Sequence, residues 1–292
     1  MCPTQVFQSL FVPTCTHQSN RADLNKAVVS GGMDSPLRHW TLRCWLWNLA
    51  VALLVQWCAN NDVLGSNHQS ADKAPLPQPI VRAGSEAGPT VLIVAGIHGN
   101  EPAGVRAAQI IARWSIARGK LVVLSPANPP AIGRRQRTIP GAPPEEADLN
   151  RNFLVEGHEC RPRGVLAREI WQHVEQIRPD WLVDLHESLR FHKDGGVGNT
   201  VIVYPRDETV SVTRKILDKI NEEIAEEEEK FVVLRWPARG SLARAAGAIL
   251  DCHSVLVEST RKDPVTKRVA HHCHFVLALL EELQMGPTQG DS

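Results

Sequence analysis

The chain has 292 residues and equal numbers of basic and acidic side chains, 32 of each. No overall electrostatic pull toward nucleic acid follows from that balance. The length admits one large domain or two small ones, and a 43% hydrophobic content is enough for a sizeable core. Seven cysteines, an odd number without a C-x-x-C pair, argue against a disulfide framework or a Cys-rich zinc module.

Residues 1–59 read as an N-terminal extension. Arg38 and Arg43 precede an apolar core, Trp45 to Trp57. A positive segment before a short apolar run is the pattern of an export signal, and it falls short of the ~20 residues of a comfortable membrane span. Translation from Met33 would put this segment at the start of the chain. Export or membrane anchoring is the expectation, with a tether if the segment is retained. An amphipathic or buried helix, in a cytoplasmic protein, is the alternative. Residues 60–88, rich in Asn, Ser, Pro, Ala and Gly, read as a linker. A catalytic domain is expected over 89–286, with a tail at 287–292.

Within that domain, Thr90–Ile97 is a continuous apolar run of the kind found in fully buried parallel strands. Pro102 suits the first turn of a helix running to about Ala117. Leu121–Ser125 is the next strand. Residues 127–150 hold five prolines and several arginines without periodicity, which suggests a functional loop. A helix over Leu166–Ile177 follows, then strands over Trp181–Leu185 and Thr200–Tyr204. A helix over Val210–Glu229, ending in an acidic run, precedes a strand over Phe231–Leu234. Ser241–Ile249 is helical, Ser254–Val257 is a strand, and Pro264–Leu283 is a closing helix. This alternation predicts a three-layer α/β/α sandwich around a mainly parallel mixed sheet.

Three short motifs carry the chemistry. His98-Gly-Asn-Glu101 lies just past a strand end, where α/β sheets place ligands. His186, in Asp184-Leu-His186, ends another buried strand and can reach the same edge. Imidazole and carboxylate donors with one position left open suit zinc better than calcium or magnesium, although cobalt or manganese could substitute. Asp148 is suited to accept a hydrogen bond from His98 and fix its tautomer. A turn-forming or capping aspartate is the alternative there.

His98-Gly-Asn-Glu101, Asp148-Leu-Asn-Arg151 and Asp184-Leu-His186 together resemble the zinc carboxypeptidase superfamily. Within it they look most like the succinylglutamate desuccinylase/aspartoacylase branch. The resemblance spans about residues 89–285. It implies one Zn2+ held by His98, Glu101 and His186, with Asp148 behind His98. It also implies a catalytic glutamate in a late strand, supplied by Glu258 in Ser254-Val-Leu-Val-Glu258. Burial would raise the Glu258 pKa and suit it to general base work. Glu187 is the rival, but strand alternation should turn it away from His186. Asn150 and Arg151 match residues that hold a substrate carboxylate. Arg137 aligns best with an arginine that polarises the scissile carbonyl, with Arg134 and Arg135 as competitors and a solvated basic loop as the bland reading.

Two departures bear on specificity. The only tyrosine, Tyr204, lies far upstream of the loop in which carboxypeptidases carry one. Arg239 lies in that loop and could bind a second substrate carboxylate or be a surface arginine. About 34 residues follow Glu258, enough for one helix but not for the C-terminal domain of aspartoacylase-type enzymes. The cluster His271, His272, His274 reads as mixed surface and core positions, with a second metal site as the minority reading. The expected activity is zinc-dependent hydrolysis of an amide in N-acyl amino acids or short peptides with a free carboxylate. A metallocarboxypeptidase acting on peptides, cell-wall peptides among them, is the alternative. A non-catalytic carboxylate-binding protein is the third.

Overall fold

The computed structural model describes residues 75–286 apart from 158–160. The apolar core 45–57, the first half of the linker and the tail 287–292 lie outside the described residues. Among those described, no helix is long and apolar enough to cross a membrane.

A seven-stranded sheet organises the domain, in the order β1-β3-β2-β4-β7-β5-β6. The strands are β1 (Ile80–Ala83), β2 (Glu86–Ala95), β3 (Arg118–Leu124), β4 (Trp181–Ser188), β5 (Thr200–Val203), β6 (Val232–Arg235) and β7 (His253–Thr260). The central run β3-β2-β4-β7 is parallel throughout. Edge strand β1 and the pair β5–β6 join it antiparallel. Among the described residues the α-helices are α1 (Pro102–Ile111), α2 (Pro129–Arg134), α3 (Pro144–Ala147), α4 (Val165–Ile177), α5 (Asp207–Glu222), α6 (Leu242–Ile249) and α7 (Val265–Glu282).

The two faces of the sheet have separate cores because side chains alternate along each strand. Val91, Ile93, Val183, Leu185, Val255 and Val257 pack with residues of α1, α5 and α7. Leu92, Val94, Leu182 and Leu256 pack with residues of α4 and α6 on the other face. This is the expected three-layer α/β/α sandwich. Leu182 is fully buried, so its truncation to Ala would cost about 2–5 kcal/mol.

Four boundaries differ from the sequence reading. The linker gives way to the sheet before residue 88, since Ile80–Ala83 pairs with β3 and β2 opens at Glu86. This edge strand is solvent-exposed along its length, so no apolar run announces it. Helix α1 stops at Ile111, and the next residues turn so that Trp114 and Ile116 enter the core. Helix α5 stops at Glu222, and Glu227–Glu229 forms a separate 3-10 turn. Four successive glutamates at a helix C-terminus repel each other and oppose the helix dipole. Finally, β4 and β7 extend past their apolar runs to Ser188 and Thr260, so His186 and Glu258 lie inside strands.

Candidate metal centre

The site forms at the carboxyl ends of β2, β4 and β7. Beyond β2 the chain turns through His98 and Gly99 and enters α1, with Glu101 as its N-cap and Pro102 in the first turn. Gly99 is required by packing, because a Cβ there would lie 2.0 Å from the Ala131 backbone. This close approach to α2 fixes His98 and Glu101 over the sheet edge. Along β4, Leu182, Asp184 and His186 share one face. In the β4–β7 register His186 pairs with Glu258, which puts both side chains side by side on that face.

Three donors converge. His98 Nδ1 lies 2.8 Å from Glu101 Oε1, and His186 Nδ1 lies 2.9 Å from Glu101 Oε2. The two Nδ1 atoms are 3.2 Å apart. His98, Glu101 and His186 are the one His/Cys/Asp/Glu group among the described residues whose ligand atoms gather this closely, and all three are buried.

The far side of each ring faces a carboxylate. His98 Nε2 is 3.0 Å from Asp148 Oδ1, and His186 Nε2 is 3.0 Å from Asp184 Oδ2. Asp148 accepts from His98, so the Nε2 of that ring carries the proton and its Nδ1 can present a lone pair, whereas His186 Nε2 faces the Asn150 amide Nδ2 at 3.2 Å as well as Asp184. Two imidazole nitrogens and a carboxylate that gather on one point form a donor set for a cation. The residues present therefore fit a metal ion, and a nitrogen-rich, three-ligand set suits zinc.

The charged groups of the site act strongly on one another. Burial alone would raise the Glu101 pKa, but the imidazoles of His186 and His98 overcome it and hold the carboxyl well below the usual range. Burial would likewise lower His186, yet the carboxylates of Asp184 and Glu101 raise it well above the ordinary imidazole value. Asp148 is also held low: burial opposes this, but His98 and the charges of Arg137 and Arg151 prevail. Asp148 additionally caps the 3-10 turn Leu149–Arg151 by accepting from Asn150 N at 3.0 Å, so the two readings of this residue coexist.

Glu258 faces the same site. Burial pushes its carboxyl up to about 7, while His186, Glu101, His98 and Arg137 all act on its charge. Its Oε2 is buried without a hydrogen-bond partner. Glu187, the next residue after His186, points to the opposite face. There it accepts from Ala103 N at the start of α1 and pairs with Arg268.

The arginines sit at different depths. Arg137 rests at the mouth, with Nη1 3.4 Å from Glu101 Oε1 and Nη2 3.2 Å from Asp148 Oδ2. Arg134 and Arg135 are exposed. Arg151 is exposed and donates to its neighbour's carbonyl, Asn150 O, at 2.7 Å. Arg239 is exposed in the loop before α6. That loop meets the Arg151 segment closely, since a Cβ on Gly240 would lie 2.5 Å from Arg151 O.

Asn150 departs from the expected clamp. It is buried, its Oδ1 accepts from Leu242 N at 3.0 Å, and its Nδ2 lies 3.2 Å from His186 Nε2. Both ends of the amide are thus engaged inside the protein, and the structure sets Asn150 against a ligand ring instead of at an open surface.

The His271, His272 and His274 cluster does not form a metal-binding group. His272 Nε2 meets Ser259 Oγ at 3.0 Å, and His271 packs edge-on to Phe231. Burial holds both rings below their ordinary pKa, at about 3 for His272 and about 4 for His271. They do not converge with His274 on a common point. Tyr204 sits at the far end of β5, where its backbone N–H bonds to Ser254 O, away from Glu258. Asp184 was quoted in a motif but given no role by sequence reasoning. The available signal was its position two residues before His186, on the same strand face.

Residues 87–193 match the family model of the succinylglutamate desuccinylase/aspartoacylase catalytic domain. Over this segment the chain is similar to that family. No curated protein matches. Among solved structures, the product-bound cell shape determinant protein Csd4 from Helicobacter pylori superimposes with a TM-score of 0.61 at 19% identity, covering 74% of this chain and 57% of that one. The chain therefore spans less than two thirds of Csd4, which is described as a D,L-carboxypeptidase and has also been solved with a tripeptide and with mDAP. A metallopeptidase-like protein from Shewanella amazonensis SB2B gives a TM-score of 0.57 at 16% identity, covering 81% and 92%. A succinylglutamate desuccinylase from Silicibacter sp. TM1040 gives 0.52 at 19%, covering 73% and 62%. The fold is zinc carboxypeptidase-like.

Proposed function

We propose that this chain is a zinc-dependent amidohydrolase acting on N-acyl amino acids or related carboxylate-bearing substrates. The observation that carries this reading is the three-donor cluster with inward Nδ1 atoms, beside a half-buried glutamate whose buried Oε2 has no partner. His98, Glu101 and His186 would hold one Zn2+. A bound zinc ion would supply Lewis acidity toward the amide carbonyl and make a neighbouring water more acidic.

The protein's own groups do the rest. Glu258, with a pKa near 7, suits both halves of the proton transfer. It takes a proton from the attacking water and gives it to the departing amine nitrogen. Arg137 lies at the mouth with its guanidinium shared between Glu101 and Asp148, and would stabilise negative charge developing on the carbonyl oxygen. Arg151 supplies the carboxylate clamp, since a guanidinium fork matches a carboxylate bidentately. Arg239, brought near Arg151 by the Gly240 contact, is placed to touch a second acidic group. Asn150 supports the site from behind.

A carboxypeptidase reading is kept as second, because Csd4 and the Shewanella protein share this fold with the chain. Export through the N-terminal segment would suit peptide substrates outside the cell. The zinc-loaded full chain, incubated with N-acetyl and N-succinyl amino acids and with short L- and D-amino-acid peptides, separates the readings by mass spectrometry. Release of acetate or succinate is the expected result. Stepwise loss of C-terminal residues would replace it with the carboxypeptidase assignment. No product from either set, with zinc bound, would overturn both.

A further inference from the structure

Among the described residues β6 is the last strand of the sheet, paired with β5 alone. An edge strand offers its outward N–H and C=O groups to any strand that meets it. The ladder with β5 uses Val232 and Trp236, whose N–H groups bond to Asn199 O and Val203 O at 3.2 and 2.9 Å. The alternate residues Phe231, Val233 and Arg235 therefore turn their backbone groups outward. Phe231 is already served, for its N–H bonds to Asn221 Oδ1 at 2.7 Å and its oxygen accepts from Asn221 Nδ2 at 2.9 Å. Pro237 has no N–H to offer. The open stretch is thus Val233 to Arg235. The opposite edge, β1, is preceded by Pro77 and Pro79, which guard it against strand addition.

The side chains along β6 are self-complementary. Val233 packs against the core on the α5 side, so Val232, Leu234 and Trp236 share the other face. There they stand 39%, 38% and 52% exposed. The indole is held in place: the Arg244 guanidinium lies 4.7 Å over its ring and Tyr204 meets it edge-on at 5.5 Å. The acidic run 226–229 precedes the strand, whereas Arg235 ends it and Arg239 follows. The two ends of the strip thus carry opposite charge, and an antiparallel copy brings unlike ends together.

We propose that β6 is an interface with a second copy of this chain, an antiparallel strand pair with its two-fold axis at Leu234. The register follows from the open backbone groups. An axis at Val233 would set Arg235 against Phe231, whose groups Asn221 holds. An axis at Arg235 would set Val233 against Pro237. With the axis at Leu234, Val233 and Arg235 of one copy exchange N–H···O=C bonds with Arg235 and Val233 of the other. Leu234 then meets Leu234 across the axis, and Val232 meets Trp236, an aromatic and β-branched pair of the kind that stabilises sheets. A joint this short is a weak one, with a dissociation constant on the order of 1–100 µM.

Sedimentation velocity of the full chain over a micromolar dilution series should show a reversible dimer. Leu234→Lys puts a charge on the axis, and Arg235→Pro removes an outward N–H while leaving the ladder with β5. Both should be monomers with an unchanged circular dichroism spectrum. Mild oxidation of Leu234→Cys should give a covalent dimer well above the wild-type background. The paired Cα atoms would lie about 4.5 Å apart, within the ~4.4–6.8 Å that a disulfide spans. Val232→Cys should stay at background, because it faces Trp236. If the charge or proline variant fails to fold, the two cysteine variants decide. A dimer that survives Leu234→Lys and Arg235→Pro, or equal cross-linking of the two cysteine variants, would overturn the proposal. A monomeric wild type would overturn it as well, and hydrogen exchange at the Val233 and Arg235 amides would then say what uses the edge. Slow exchange would assign it to residues 1–74 of this chain, and fast exchange would leave it to a strand of another protein.

Discussion

Two glutamates, Glu187 buried and Glu258 half-buried, lie at the same edge of the sheet on opposite faces, and their surroundings differ. Glu187, on the α1 and α7 side, is fully engaged: it accepts from Ala103 N and Arg268, and Arg261 Nε approaches to 3.6 Å. Glu258, on the α4 and α6 side, has an oxygen with no partner and faces His186 across one strand. Burial raises the pKa of both, but the Glu187 partners offset part of that rise. A buried carboxyl with partners on every side braces the fold, and one with an open oxygen is available for chemistry.

The largest effect should come from the ligand that stands beside Glu258. His186→Ala or His98→Ala should abolish stoichiometric zinc in the purified protein, measured by elemental analysis, and turnover with it. Retention of one tightly bound zinc by either variant would break the three-donor account.

Next comes the brace. Glu187→Gln leaves Arg268 unpaired against the start of α1, and losing one partner of a buried pair costs about 3–5 kcal/mol. Urea unfolding should show that loss, while the folded fraction still takes up zinc. A stability change below ~1 kcal/mol would mean that Glu187 is not a strut.

A pH series sharpens the contrast. The Glu258 pKa is raised from 4.5 to about 7 in the folded protein. The folded state therefore binds more protons than the unfolded state between those values. The associated stability is present below pH ~4.5 and is lost as pH rises through 7. Metal-free Glu258→Gln should accordingly be more stable than wild type at pH 8, by at most about 3 kcal/mol. The difference should disappear near pH 4.5. A difference that grows toward acid would contradict the buried, partly protonated state of Glu258. The smallest effect belongs to Arg239→Ala. It should leave stability within about 0.5 kcal/mol and change KM for diacidic substrates without changing kcat.

The gathering of His98, Glu101 and His186 was legible because each follows an apolar run that ends at one edge of the sheet. Glu258 was legible in the same way, as the polar end of Ser254-Val-Leu-Val. The strands' true lengths were hidden, since apolar runs stop where polar site residues begin. The exposed strand β1 gave no pattern to read. The motif shows which residue Asn150 is and not which way its amide turns; that direction is set with Leu242 N, 92 positions away. Asp184 was overlooked for a related reason. Its one signal is its place two residues before His186, on the same strand face.

The account turns on Glu258 acting on a substrate at an intact metal centre. The most direct test measures zinc content and single-turnover amide cleavage for wild type and Glu258→Gln side by side, on the substrate that wild type processes best. The account predicts one zinc per chain in both, and cleavage slowed about 10²–10⁴-fold in the variant. Equal cleavage by the two proteins, each with its zinc, would contradict it.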